Sequence, residues 1–156
     1  MGFPDGKLIP SIDLRIELST IIRKIKPQRI LTHSPIFNFK SIRYSHPDHL
    51  AVGQAVLASV FPDARNPHAF RESNLVNFEP HTVESVWMMG TPEPNTYIDI
   101  TTEINSKILA VACHTSQLSD FGDLKEFFHT WGQELAVDAG FSNGLLAESF
   151  YVMDTR

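Results

Sequence analysis

The stretch from Arg29 to His49, RILTHSPIFNFKSIRYSHPDH, decides the fold. Arg29-Ile30-Leu31-Thr32 reads as a short strand that delivers His33-Ser34-Pro35 at its C-terminal end. Ile36 to Ser45 reads as loop. Pro47 then suits the first position of a helix, where its missing N–H would have had no partner in any case. His46 falls at the N-cap and His49 at the third helical position. Residues three apart share a helix face, so both rings can point at one object. Neutral imidazole is a common metal ligand, and imidazole is also the usual general acid or base. The six residues Tyr44-Ser45-His46-Pro47-Asp48-His49 equally suit a capped surface helix with two incidental histidines.

Working outward, alternation continues on both sides. Met1 to Pro10 is rich in Gly and Pro and reads as loop. Ser11 is a candidate N-cap, after which Leu14, Leu18, Ile21, Ile22 and Ile25 recur at helical spacing until Pro27. The helix opened by Pro47 is expected to reach about Phe61, with Leu50, Val56, Leu57 and Val60 on its apolar side and Pro62 as its stop. Asp63 to Pro80 reads as irregular, Val83 to Met89 as a buried strand, Gly90 to Asn95 as a turn and Thr96 to Ile100 as a short extended piece. Thr101 can cap a third helix bearing Ile104, Ile108 and Val111. Leu124, Phe127, Phe128, Trp131 and Leu135 stripe a fourth helix that stops near Gly140, and the aromatic residues of that stripe read as core. Leu145 to Val152 reads as a last strand. There is no repeat and no linker, so residues 1–156 are expected to form a single α/β domain. In such sheets ligands gather at the C-terminal ends of the strands, where the His33 loop and the His46 helix start both belong.

Composition narrows the function. Of 156 residues, 42% are hydrophobic and 20% charged, the profile of a folded globular chain. A formal net charge of −5 argues against binding a phosphate backbone, so no nucleic-acid partner is expected. No apolar run approaches a membrane span. The start, Met1-Gly2-Phe3-Pro4-Asp5-Gly6-Lys7, has neither the basic residues nor the apolar stretch of a signal peptide, and Gly6 stands where a myristoylation site would have Ser or Thr. Cys113 is the one cysteine, which rules out an internal disulfide; a cytoplasmic location and a packed structural thiol are expected.

Residues along the whole chain resemble one family, the zinc-dependent de-N-acetylases of the PIG-L/LmbE type. Phe3-Pro4-Asp5-Gly6 looks like the family's loop ahead of a helix. Lys26-Pro27 and Ile30-Leu31-Thr32-His33 look like its strand and loop before the active site. His46-Pro47-Asp48-His49-Leu50-Ala51-Val52-Gly53 is similar to its second metal motif. Phe61-Pro62-Asp63-Ala64-Arg65-Asn66-Pro67, then Asp99-Ile100-Thr101, Lys107, His114-Thr115-Ser116-Gln117 and Ala147-Glu148-Ser149-Phe150, follow in the family's order.

The resemblance implies a Rossmann-like, mostly parallel sheet with flanking helices. It also implies a zinc-dependent hydrolase that removes acetyl from an N-acetylated amino sugar or its conjugate. His49 is then a zinc ligand. His46 serves the tetrahedral intermediate or the leaving amine, Asp48 orients the His46 ring and favours its protonated form, and Tyr44 helps hold the oxyanion. The resemblance allows a homo-oligomer, since the family often associates, but the residues do not fix the oligomeric state. Each role has a plainer competitor. Asp48 near a helix start is favourable to the helix dipole, Tyr44 is also an ordinary loop aromatic, and His33 could stand near the site but reads rather as a loop histidine bonded to backbone. His114 reads as fixing helix packing and a turn, His68, His81 and His129 carry no signal, and Arg43, Arg65 and Arg71 read as solvated charges that could also pair with an anionic substrate.

One family signature is missing from these residues. The His-Pro-Asp-Asp-Glu run, which supplies the other two zinc ligands and the general base, does not occur. The expectation is therefore the C-terminal portion of the family's domain: His49 alone of three ligands, N-terminal strands absent, and exposed strand edges and apolar surface in their place. Such a chain is expected to bind little zinc and to hydrolyse no amide by itself. The alternative is a degenerate, non-catalytic fragment that acts at most in binding.

Overall fold

The computed structural model describes residues 2–118 and 122–156; Met1, part of the expected N-terminal loop, lies outside them. Helix α1 spans Ile12–Ile25, strand β1 Arg29–His33, helix α2 Pro47–Ala58, β2 Ser85–Met89, β3 Thr96–Asp99, α3 Ile104–Ala112, α4 Leu124–Asp138 and β4 Ala147–Asp154. The strands form a sheet in the order β1-β2-β4-β3. β1 pairs parallel with β2, and β2 antiparallel with β4. The α/β class holds, and the sheet is mixed rather than mostly parallel. The chain's internal contacts separate two compact units, residues 2–95 with 150–156 and residues 96–149 without the undescribed 119–121.

In the first unit β1, α2 and β2 make a β-α-β crossover, which a parallel pair requires. Register runs from Arg29 opposite Ser85 to His33 opposite Met89. Strand alternation sends Ile30, Val86 and Met88 to one face, where they pack with Ile22, Val56 and Val60 of the helices and the turn that follows α2. Leu31 points the other way and is 56% exposed on β1, an edge strand of the sheet; Ile36, Phe39 and Ile42 in the loop beyond are exposed as well. α1 begins where expected: the Ser11 hydroxyl accepts the Leu14 N–H at 3.2 Å, and Lys26 ends the helix in the left-handed region with φ 55°.

α2 stops earlier than expected, at Ala58. Phe61 cannot stay helical, because the ring of Pro62 clashes with a helical residue before it; its φ of −143° and ψ of 122° are extended. Ser59–Asp63 continues as a wider turn, held to α1 by a two-pronged ion pair from Arg15 Nε and Nη2 to the Asp63 carboxylate at 2.9 and 2.8 Å. Below it lies Arg23, 2% exposed. Its guanidinium donates to the carbonyls of Asp63, Ala64, Asn66, Leu75 and Phe78. The irregular stretch from Asp63 to Pro80 thus folds around one buried cation, whose pKa burial lowers from the ordinary arginine value.

In the second unit Ile104, Phe128 and Leu146 form the core, with Trp131 and Ile108 against it. Gly132 lies against Leu146, whose Cβ would stand 3.2 Å from a Cβ added there. Phe128 is buried as expected, but Phe127 is 37% exposed. Thr101 does not cap α3, which begins three residues later. Its hydroxyl is committed elsewhere, donating to Asp99 and accepting the Leu146 N–H. Lys107 pairs with Glu148 and lies over the rings of Phe128 and Trp131. Cys113 is exposed just past the end of α3, not packed as expected, because the helix turns its last residues to solvent. His114 is likewise exposed; the turn after it is made by its backbone carbonyl accepting the Gln117 N–H.

Candidate metal-dependent hydrolase site

The first turn of α2 follows the sequence reading closely. Pro47 opens the helix and His46 stands at the N-cap, where its Nδ1 accepts the Asp48 N–H at 3.2 Å. Nδ1 is thereby an acceptor, which puts the proton of the neutral ring on Nε2. That nitrogen faces Asp5, whose Oδ1 is 3.9 Å away. The His46 and His49 ring centroids are 5.1 Å apart, on one side of the helix.

His33 joins them. Its ring lies 3.8 Å from that of His49, with 7° between the planes. The reading of His33 as a loop histidine bonded to backbone is thus replaced: it is the last residue of β1, and its ring is stacked on the expected metal ligand. Tertiary packing makes this pairing, and no local pattern announces it. Gly53, one turn further along α2, is what lets the helix approach. A Cβ there would meet the His33 carbonyl oxygen at 2.5 Å and the Pro35 nitrogen at 2.8 Å. Burial, followed by His49 for His33 and by His46 for His49, lowers both pKa values from the ordinary imidazole value, even though Asp48 and Asp5 pull that of His49 upward.

The Asp48 carboxylate lies close to the His46 ring, with donor atoms of the two within 4.8 Å of one another. Its two oxygens accept the N–H groups of Gly6 at 2.7 Å and Leu8 at 2.9 Å, tying the N-terminal loop to the helix start. Loss of solvent pulls this carboxyl upward, but the Leu8 and Gly6 N–H groups, with His46 and His49 nearby, hold it below the ordinary value. The Asp48 backbone N–H is what bonds the His46 ring. Tyr44 ends a 3-10 turn over Ile42–Tyr44 and lies against Gly90, where a Cβ would be 3.4 Å from its ring. Arg43 is exposed, the Arg65 guanidinium lies 5.5 Å from the Phe61 ring, and Arg71 bonds His68 at 2.6 Å.

Among the described residues, one group of three potential metal donors brings its atoms within 4.8 Å of one another: Asp5, His46 and Asp48. His49 is not in that group. Sequence reasoning places Asp5 only in the N-terminal loop; the signal that could have found it is the Pro-Asp-Gly turn quoted above. Imidazole nitrogen with carboxylate oxygen is a donor set suited in kind to a borderline divalent cation such as zinc.

Comparison with known proteins bears on what these residues do. No family model matches the chain. The diacetylchitobiose deacetylase of Thermococcus kodakarensis is 28% identical over 144 residues, 92% of this chain and 51% of the relative. The chain resembles deacetylases of the PIG-L/LmbE type in sequence. Its fold agrees with that of solved deacetylase structures. The N,N'-diacetylchitobiose deacetylase of Pyrococcus horikoshii, complexed with its inhibitor MPG, superposes with a TM-score of 0.83 at 24% identity, covering 99% of this chain and 56% of that one. A conserved protein of Thermus thermophilus gives 0.69 at 25% identity, over 99% and 64%. The chain spans about half the length of the protein it matches in sequence. No helix among its described residues is long and apolar enough to cross a membrane.

Proposed function

We propose that this chain carries one wall of a metal-dependent de-N-acetylase site, acting on an N-acetylated amino sugar or its conjugate. The observation that supports this best is the gathering of His46 and His49 on the first turn of α2, against His33 at the C-terminal end of parallel β1. That is where an α/β sheet collects its ligands. The similarity to diacetylchitobiose deacetylase adds the substrate class.

In this reading His49 holds the zinc through one imidazole nitrogen. Bound zinc would polarise the amide carbonyl and lower the pKa of a water molecule. His46 serves the tetrahedral intermediate or the leaving amine: with Nδ1 taken by the Asp48 N–H, its Nε2–H is the hydrogen-bond donor to the oxygen where charge develops. Tyr44, two residues before His46, is assigned a hydrogen bond to that oxygen. Asp48 contributes by fastening the Gly6–Leu8 backbone beside the site.

Zinc in a catalytic site takes three protein ligands. His49 belongs to no group of three donors among the described residues. The remaining donors are assigned to polypeptide outside them, so the described residues by themselves are expected to bind zinc weakly and to turn over no amide. The second reading, a non-catalytic binding domain, draws on the same absence of donors. A chimera distinguishes the two: this chain replaces the matched part of the Thermococcus deacetylase, and acetate release from diacetylchitobiose is measured. Zinc-dependent release that is lost in His46→Ala and His49→Ala supports the enzyme reading. A folded chimera that releases no acetate supports the binding domain.

A further inference from the structure

We propose that His33 is a positioning residue for His49, acting as an aromatic platform and not as a second metal ligand. The inference rests on the metal reading of His49 given above. Two imidazoles stacked 3.8 Å apart with 7° between their planes have lone pairs in parallel planes. An ion bonded to both would have to lie about 2.0–2.1 Å from each nitrogen, far out of at least one ring plane. The stack therefore excludes shared ligation. It fixes the one feature of the His49 ring that matters to an ion bound in its plane, namely the orientation of that plane.

The platform is itself held rigidly. His33 is paired with Met89 at the end of β1, and the next residue, Ser34, donates its N–H to the Met89 carbonyl at 2.9 Å. On the other side, the bare face of Gly53 seats α2 against the His33 and Pro35 backbone, which sets the distance between the strand end and the turn that carries His49. Two secondary elements thus clamp the two rings from their backbones. A ligand supported in this way needs no hydrogen bond from His33, and any flat ring of similar size serves as well.

The test uses the purified chain and Zn2+ alone, with the His49 side-chain resonances followed by NMR in wild type, His33→Phe and His33→Ala. Hydrogen-bonded partners of metal ligands are commonly worth 10–100-fold in affinity; a stacked platform that holds the same ring should reach the low end, so His33→Ala should weaken the zinc response at His49 by about tenfold and remove the ring-current shift of its resonances. His33→Phe should keep both. If His33→Ala changes neither, the platform does nothing and the inference fails while the metal reading stands. If His33→Phe behaves like His33→Ala, His33 acts through its nitrogens and the inference is also overturned. If zinc leaves His49 unperturbed in wild type, the metal reading itself is wrong. His33→Phe, which preserves the packed volume, keeps the test usable if the alanine variant does not fold.

Discussion

Gly53 lies so close to His33 that a Cβ on it would stand 2.5 Å from the His33 carbonyl oxygen. The obstacle is backbone at the end of a paired strand, which cannot swing aside as a side chain would. Gly53→Ala is therefore expected to push α2 away from β1 and to destabilise the chain by about 1–3 kcal/mol, despite the better helix propensity of alanine. Urea denaturation measures the loss. Unchanged stability would mean that the two elements are not pressed together here.

Arg23 should be the least replaceable residue of the first unit. Five carbonyls from Asp63 to Phe78 converge on its guanidinium, and each one left without a donor costs about 1–3 kcal/mol when buried. Arg23→Met is expected to cost at least about 3 kcal/mol. Arg23→Lys, with three donors on a point charge, should recover only part. Both are read from denaturation midpoints, and a lysine variant as stable as wild type would contradict the five-fold role.

Asp48→Asn should loosen the N-terminal loop before it changes anything else. The carboxylate that accepts the Gly6 and Leu8 N–H groups becomes a weaker, singly disposed acceptor. Faster amide hydrogen exchange at Gly6 and Leu8, with α2 exchange unaltered, is the expected outcome. Unaltered exchange at those two amides would leave Asp48 without its assigned role.

At the C-terminus, Arg156 bonds the Asp154 carboxylate through side chain and backbone and lowers its pKa to about 2. The folded value is the lower one, so the pair's contribution is complete above the usual carboxylate pKa and fades as pH falls towards about 2. Asp154 is fully exposed, so the consequence for overall stability is small. An NMR titration of Asp154 reads the effect directly, and Arg156→Ala should return it towards the usual carboxylate range.

What is legible in the sequence follows the range of the forces involved. Pro47, His46 and His49 announce a helix start and a shared face because capping and helical periodicity are local. Periodicity carries α2 three residues too far, to Phe61, because the constraint comes from Pro62 acting backward on Phe61. The stack of His33 on His49, the Asp48 clasp on Gly6 and the burial of Arg23 join residues 16 to 55 apart in sequence, and no periodicity carries such pairings. Adjacency and the resemblance point Asp48 to His46; neither announces that the loop 42 residues upstream also bonds its carboxylate.

The central claim is that the imidazole of His49 is a metal donor whose partner donors lie outside these residues. Zinc content per chain, measured by elemental analysis before and after dialysis against a chelator, tests it most directly. The account predicts zinc that is bound weakly, is lost to the chelator and disappears in His49→Ala. One zinc per chain that survives the chelator, or weak binding that is indifferent to His49→Ala, would contradict it.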